Sequence, residues 1–249
     1  MDIESIFFFL LGLIFGSFFN VVGLRLPNDM PFTNERSNCP RCKHVLTWHE
    51  NIPLLSFVIQ RRKCRHCAEK ISYIYPAIEL ITGILFVISY TIIGLKFDLI
   101  TALLLISMLM IILVSDMSYM LIPNKVLLFF TPLFIIIRMI DPLTPWWSPI
   151  IGTIVGFILL AIIIIVSHGG MGAGDMKLFG LLGVVLGAGK VLLAFFLSCM
   201  TGAVIGMLLL LFKRIQKGQP VPFGPYIVIA TLITYFFGDY LLYWYFSLF

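Results

Sequence analysis

Long uninterrupted runs of apolar residues constrain this chain more than any other feature of it. Eight of these runs approach the roughly 20 mostly apolar residues that one membrane-spanning helix needs. They are apolar at nearly every position, whereas the strands of a membrane barrel alternate apolar and polar residues. Hydrophobic residues make up 60% of the 249 positions, which is more than a soluble core can bury. We therefore predict an all-α polytopic membrane protein with spans at residues 4–24, 77–95, 98–115, 121–140, 149–167, 176–189, 191–212 and 226–247.

The lysines and arginines lie mostly on one side of these spans. If the N-terminus faces outside, 14 of the 17 basic residues fall in segments on the cytoplasmic side, as the positive-inside rule requires. The distribution predicts a multi-pass protein of the cytoplasmic (plasma) membrane with both termini outside. Membrane topology thus accounts for the net charge of +5. No basic patch interleaved with aromatic residues indicates nucleic-acid binding, so the expected surroundings are the lipid bilayer.

One long segment between spans, residues 25–76, carries two CxxC pairs, "CPRC" and "CRHC". Two such pairs at this spacing are typical of a tetrahedral zinc site with four thiolate ligands. Disulfides or free thiols are the alternatives, and a reducing cytoplasm disfavours disulfides. The segment has few apolar residues for a core of its own, so a structural zinc would stabilise it. The predicted metal ligands are Cys39, Cys42, Cys64 and Cys67.

These features divide the chain into three parts. We predict a first transmembrane helix at residues 1–24, a cytoplasmic zinc insert at 25–76 and a seven-helix membrane core at 77–249. Asn20 is a polar residue inside the first span, where we expect a packing hydrogen bond ahead of a substrate contact.

Two aspartates stand at span ends that the predicted topology places on the cytoplasmic face. Asp116 lies in "LVSDMSYMLIPN" and Asp175 in "GMGAGDMK". Two carboxyl groups held close together do not both ionise easily, and such a pair can activate water and protonate a leaving amine. The lack of side chains at Gly172 and Gly174 would let an extended peptide approach. The pattern therefore favours aspartic-protease chemistry.

Three other interpretations of the aspartates remain open from the residues alone. Each aspartate could cap a helix, or Asp175 could pair with Lys177. The pair could belong to a proton-coupled membrane transporter, for which inverted repeats and polar residues at mid-membrane are expected. We find neither pattern, because the charges gather at one face. A zinc-bearing assembly factor without catalysis is the remaining class.

The order of several short motifs resembles the type IV prepilin peptidases, which are GxGD intramembrane aspartyl proteases. "GAGD" alone would be a weak signal, but the resemblance covers nearly the whole chain. It rests on the two CxxC pairs together with "FGSFFNVVGLRLP" at 15–27, "ENIPLLSF" at 50–57, "YPAIELITG" at 75–83, "SDMSYMLIPN" at 115–124, "GAGDMKLFG" at 172–180 and "PFGPYI" at 222–227.

The resemblance implies an eight-span enzyme that removes the short basic leader of type IV prepilins, or of pseudopilins used in secretion or DNA-uptake competence. It makes Asp116 and Asp175 the catalytic pair, with Gly172, Gly174 and Lys177 beside it. It also implies that the new N-terminal residue is methylated with S-adenosylmethionine as methyl donor. A basic leader needs acidic partners, which this chain offers at Glu35, Glu50, Glu69 and Glu79.

Glu79 is the acidic residue that the membrane constrains most. It lies at the start of the second predicted span, where a carboxylate is costly unless it is paired or lines a cavity. We therefore expect Glu79 to support a functional site rather than to lie on the surface.

One residue departs from the family pattern. Members often carry R-G-x-C before the third cysteine, whereas this chain reads "RRKC" with Arg62 in place of the glycine. A guanidinium there would crowd a methyl donor bound against the insert and repel its sulfonium charge. The departure predicts robust cleavage and weak or absent methyl transfer.

Overall fold

In a computed structural model the chain is all-helical, and residues 2–30, 37–39, 41–167, 170–214, 216 and 221–248 are described. Seven helices are long and the remaining one, in the insert, has five residues. Their bounds are α1 (Ile3–Arg25), α2 (Leu55–Ile59), α3 (Ile74–Ile93), α4 (Phe97–Tyr119), α5 (Asn124–Ile140), α6 (Ser148–Val166), α7 (Ala173–Leu211) and α8 (Gly224–Phe246).

The predicted spans all correspond to helices in the described part of the chain. Six helices are long and apolar enough to cross a membrane: α1, α3, α4, α6, α7 and α8. The seventh, α5, has 17 residues and begins three residues later than predicted. Pro123 lies immediately before it in an extended conformation and disfavours the helical conformation at Ile122. The all-helical membrane fold is confirmed.

The helix α7 has 39 residues and is a hairpin of two antiparallel limbs. The Phe179 and Phe195 rings lie 5.8 Å apart, although 16 residues of straight helix would separate them by about 24 Å. A Cβ placed on Gly156 of α6 would likewise meet both Phe179 and Val191. The chain therefore turns back between these positions, and the limbs match the predicted spans 176–189 and 191–212.

Gly187 makes this reversal. Its backbone has φ 77° and ψ 177°, a conformation that is nearly restricted to glycine. Side chains from neighbouring helices bond the two helix ends at the turn. Arg138 donates from Nη2 to the carbonyl of Val185 at 2.6 Å, and the N–H of Ala188 donates to Ser148 Oγ at 3.1 Å.

The packing divides the chain into two compact units, residues 1–115 and 116–249. This division falls within α4, and the three-part division drawn from the sequence stays a prediction. In the second unit, α7 packs against α5, α6 and α8. Gly152 and Gly183 lie at the α6–α7 contact, where a Cβ on either would come within 2.6 Å of the other's backbone.

In the first unit, α1 and α3 pack antiparallel. A Cβ on Gly12 would lie 2.7 Å from the Cα of Gly83, and one on Gly16 would lie 2.8 Å from the Cα of Glu79. Small residues one helical turn apart allow this close approach of two backbones. The Asn20 amide donates to the carbonyl of Tyr75 at 3.1 Å, which confirms the predicted packing hydrogen bond.

Candidate active site

Asp116 lies in the last turn of α4 and is buried, with 5% of its surface exposed. Its Oδ2 accepts the backbone N–H of Gly224 at 2.7 Å. Gly224 is the first residue of α8, so the carboxylate binds one of the N–H groups that a helix leaves unpaired at its N-terminus. A Cβ on Gly224 would lie 2.6 Å from the same oxygen, and the contact therefore requires glycine.

Asp175 occupies the first turn of α7 and is 8% exposed. Its Oδ2 accepts the backbone N–H of Gly172 at 3.1 Å, so it also caps a helix. The capping interpretation is correct for both residues, and it is compatible with catalysis because backbone N–H donors stabilise the ionised form that a catalytic base needs.

The two aspartates belong to the same compact unit and act on each other electrostatically. The connection between α4 and α5 contributes to their surroundings. A Cβ on Gly174 would lie 3.0 Å from the Cβ of Ile122, which places this connection against the start of α7.

Lys177 does not pair with Asp175 among the described residues. Its Nζ donates instead to Oδ1 of Asn124, the first residue of α5, at 3.0 Å. This bond ties α7 to the start of α5, and the interpretation of Lys177 as the counter-ion of Asp175 finds no support in the described contacts. Its predicted role beside the active site stays a prediction.

Gly224 is the residue of this site that the sequence reasoning missed. Its motif "PFGPYI" entered only through the family resemblance, and its partner lies 108 positions earlier in the chain. A glycine followed by proline ahead of an apolar run indicates a helix start, but it does not reveal which side chain that start binds.

Glu79 belongs to the first unit and is 8% exposed. Its Oε2 accepts the backbone N–H of Leu54 at 2.8 Å, and the Ser17 side chain lies near the same carboxylate. It is therefore buried rather than on the surface, and it connects the insert to α1 and α3. Its role in a functional site stays a prediction.

The four predicted cysteine ligands form a cluster. All four Sγ atoms lie within 4.8 Å of one another, with Cys39 and Cys67 3.7 Å apart and Cys42 and Cys64 3.9 Å apart. A tetrahedral zinc with Zn–S bonds of about 2.3 Å would separate its sulfurs by about 3.8 Å. All four thiols are free rather than in disulfides, so the cluster fits a zinc ion.

Two matching turns present these sulfurs. The N–H of Cys39 donates to the carbonyl of His44, and the N–H of Cys64 donates to that of Glu69, both at 2.9 Å. The backbone N–H of Cys42 lowers the pKa of the Cys39 thiol to about 7, which favours the metal-binding thiolate.

Arg62 has a left-handed backbone with φ 62°, a conformation that suits glycine. The structure thus supplies a local reason for a glycine at this position. The Arg62 guanidinium lies 3.7 Å above the centre of the Tyr73 ring, and its Nε donates to the carbonyl of Ile71 at 3.1 Å. The side chain is held by the segment that leads into α3.

Two family models match the chain. The bacterial peptidase A24 N-terminal domain matches residues 10–93, and the type IV leader peptidase family matches residues 103–207. The chain belongs to the type IV leader peptidase family. Asp116, Asp175 and the glycines before Asp175 all lie within the second matched region of this leader peptidase homologue.

Curated relatives resemble this family member over most of their length. A prepilin leader peptidase/N-methyltransferase of Bacillus subtilis is 42% identical over 231 residues, covering 93% of each chain. The protein of the same name from Vibrio cholerae is 33% identical, covering 93% of this chain and 96% of the relative. A third, from Aeromonas hydrophila, is 33% identical, with 95% and 92% covered. No solved structure matches the chain.

Proposed function

We propose that this protein is an intramembrane aspartic endopeptidase that removes the leader peptides of type IV prepilins or pseudopilins. The observation that carries the proposal is the pair of buried carboxyl groups, Asp116 and Asp175, each bound by the first backbone N–H groups of a helix. The names of the relatives supply the substrate class. A transporter is not favoured, because the buried acids occupy helix ends rather than a path across the bilayer.

The proposed reaction needs the pair to share one proton. The ionised carboxylate takes a proton from water, which attacks the scissile carbonyl, and the protonated carboxyl group donates to the leaving amine. The N–H groups of Gly224 and Gly172 hold the carboxylates in place throughout. Glycine at these positions makes room for the site's own side chains, since a Cβ would lie 3.2 Å from Asp175 Oδ2 on Gly172 and 2.6 Å from Asp116 Oδ2 on Gly224.

The topology predicted from basic residues supports a reaction at the cytoplasmic face of a bacterial plasma membrane. A prepilin places its basic leader in the cytoplasm and its apolar helix in the bilayer, so the scissile bond falls at that interface. The positive-inside rule places the zinc insert there as well, with the N- and C-termini outside.

The four-cysteine cluster is proposed to hold a structural zinc ion. The site has four thiolate ligands, which fill a tetrahedral shell and leave no position for a substrate. The names of the relatives also include N-methyltransferase, so methylation of the new N-terminus with S-adenosylmethionine is the second reaction proposed for this chain.

The purified protein should cleave a synthetic prepilin leader peptide. Asp116→Asn and Asp175→Asn should each abolish cleavage while the protein stays in the membrane, because members of a catalytic unit fail together. The amide can still accept the helix N–H, so folding is expected to survive. Near wild-type cleavage by either variant would show that the aspartate assignment is wrong. Serine- and cysteine-protease reagents should leave the activity unchanged.

A further inference from the structure

The contact between α1 and α3 holds a buried carboxylate, that of Glu79. Among the described residues its hydrogen-bond donor is a neutral group, the Leu54 N–H, and the Ser17 side chain lies near the same carboxylate. Within the described part of the chain, no lysine, arginine or histidine forms an ion pair with it. A carboxylate buried near hydrocarbon without a cation is costly, and such residues mark functional sites by default.

One helical turn from Glu79, the side-chain oxygen of Asn20 is a buried acceptor without a hydrogen-bond donor. Asn20 is 1% exposed, and its Nδ2 donates to the carbonyls of Gly16 and Tyr75 at 3.2 and 3.1 Å. These two bonds settle the orientation of the amide and leave its Oδ1 without a hydrogen-bond donor. Asn20 follows Ser17 by three residues and Tyr75 precedes Glu79 by four, so both acceptors lie on the same seam. Within the described residues this seam carries no positive charge, and one of its two acceptors has no donor.

The other acidic residues of the insert already have partners. Glu50 is buried, accepts the N–H and the hydroxyl of Thr47 at 2.9 and 2.7 Å, and has the Nε2 of His44 3.8 Å from its Oε2. The Thr47 N–H lowers its pKa. Glu69 forms an ion pair with Arg41. Glu35 lies outside the described residues. Among the described acids that the sequence offered to a basic leader, Glu79 is the one whose charge stays uncompensated.

We propose that Glu79 and Asn20 form a subsite that binds a lysine side chain of the leader peptide. The carboxylate supplies the charge, and the Asn20 carbonyl oxygen accepts one of the three N–H groups that an ammonium donates. Such charge-assisted bonds are stronger than neutral ones. This inference rests on the proposed function, and it assigns the recognition of leader charge to two residues of the first unit.

The test compares synthetic leader peptides with acetylated N-termini, one with its lysines and one with glutamine at those positions. The wild-type protein should favour the lysine peptide by about tenfold or more in kcat/KM, the range of one bond to a charged group. Glu79→Gln keeps an acceptor for the Leu54 N–H but loses the charge. It should lose the preference between the two peptides, mainly through a raised KM for the lysine peptide. Asn20→Leu should weaken the preference in the same direction.

Glu69→Gln is the matched control, because Glu69 already pairs with Arg41, and it should keep the full preference. If Glu79→Gln slows both peptides equally, Glu79 only holds the insert in place and the proposal is overturned. An unacetylated glutamine peptide tests the α-amine as the ligand. If the wild-type protein cleaves this peptide with as high a kcat/KM as the acetylated lysine peptide, the assignment to a lysine side chain is wrong.

A binding measurement separates this inference from the proposed function. The full-length Asp116→Asn protein, which should not cleave, is titrated with the fluorescent lysine and glutamine peptides. Binding that depends on lysine and disappears with Glu79→Gln in the same background supports the subsite even if no peptide is cleaved. Equal binding of both peptides overturns the subsite and leaves the aspartate assignment untouched.

Discussion

At the scale of single residues, the candidate site depends on glycines as much as on aspartates. Each carboxylate reaches a backbone N–H at the start of a helix, and Gly224 is the tightest of these contacts. A Cβ on Gly224 would lie 2.6 Å from the Asp116 Oδ2 that its N–H binds, so a side chain there would collide with the carboxylate. The position of this oxygen is therefore sensitive to one methyl group on a different helix.

Gly224→Ala should displace the Asp116 carboxylate. The added Cβ would lie 2.6 Å from Oδ2 and 2.8 Å from Cγ, and a shift of about 1 Å in a catalytic group costs about a hundredfold in rate. Cleavage of the leader peptide measures the effect. Gly206→Ala is the control, since a Cβ there meets no atom within 4 Å, and its rate should match the wild type. An unimpaired Gly224→Ala enzyme would contradict the placement of Asp116.

At the scale of elements, different features stabilise the hairpin in α7 and the cysteine turns of the insert. The α7 hairpin reverses at one glycine, and Arg138 and Ser148 bond the two helix ends there. The insert has two short turns whose sulfurs converge, and its described residues include one α-helix, of five residues. The α7 hairpin depends on the backbone conformation of one glycine, whereas the cysteine cluster joins parts of the chain that are distant in sequence.

Gly187→Ala should lower the free energy of unfolding by about 1–3 kcal/mol, the usual cost of a strained backbone. The φ of 77° disfavours any side chain, and a Cβ would also lie 2.4 Å from Ser148 Oγ. Titration with a denaturing detergent measures the change. Ser148→Ala removes the steric contact but also the hydrogen bond to Ala188, so the double variant Gly187→Ala/Ser148→Ala is compared with Ser148→Ala alone and should be less stable than it because of the backbone strain. If Gly187→Ala matches the wild type, the hairpin does not turn at this residue.

The insert should carry about one zinc ion per chain, as one site with four thiolates predicts. Chelation or Cys39→Ser should speed proteolysis within residues 37–76 and leave the membrane helices intact, because the metal replaces a core in so small a segment. Cys199→Ser is the matched control, since this fifth cysteine lies in α7 outside the cluster. Metal analysis of freshly purified, reduced protein decides the point, and protein without zinc would refute it.

At the scale of the whole molecule, the chain divides into two compact units, and its relatives are named for two activities, leader peptidase and N-methyltransferase. The N-terminal family model falls inside the first unit, and most of the second match falls in the other. Both aspartates belong to residues 116–249, whereas the cysteine cluster and Arg62 belong to residues 1–115. A change at Arg62 is therefore expected to alter methyl transfer separately from cleavage.

Arg62→Gly should raise methylation and leave cleavage unchanged. Glycine adopts the φ of 62° without strain, and its introduction removes a positive charge that would repel a sulfonium donor bound against the insert. Mass spectrometry of the mature peptide after incubation with S-adenosylmethionine measures both reactions in one sample. Full methylation by the wild-type protein would show that Arg62 does not block the donor. If neither protein methylates, the donor does not bind where we place it.

The sequence by itself determined the membrane helices, the cysteine cluster and the two aspartates. Continuous apolar runs, CxxC spacing and charged residues at span ends are local signals, and they can be read without knowing what lies nearby in space. The predicted end of the sixth span, at residue 189, was also read from a local signal. The hairpin turns at Gly187, two residues earlier.

Only the tertiary structure decided which groups these residues meet. Asp116 binds the N–H of Gly224, Lys177 bonds to Asn124 rather than Asp175, and Glu79 holds the N–H of Leu54. Each of these contacts joins residues that are at least 25 positions apart in the chain. Their partners are set by how helices pack, and a periodic or compositional pattern within one helix carries no information about the helix beside it.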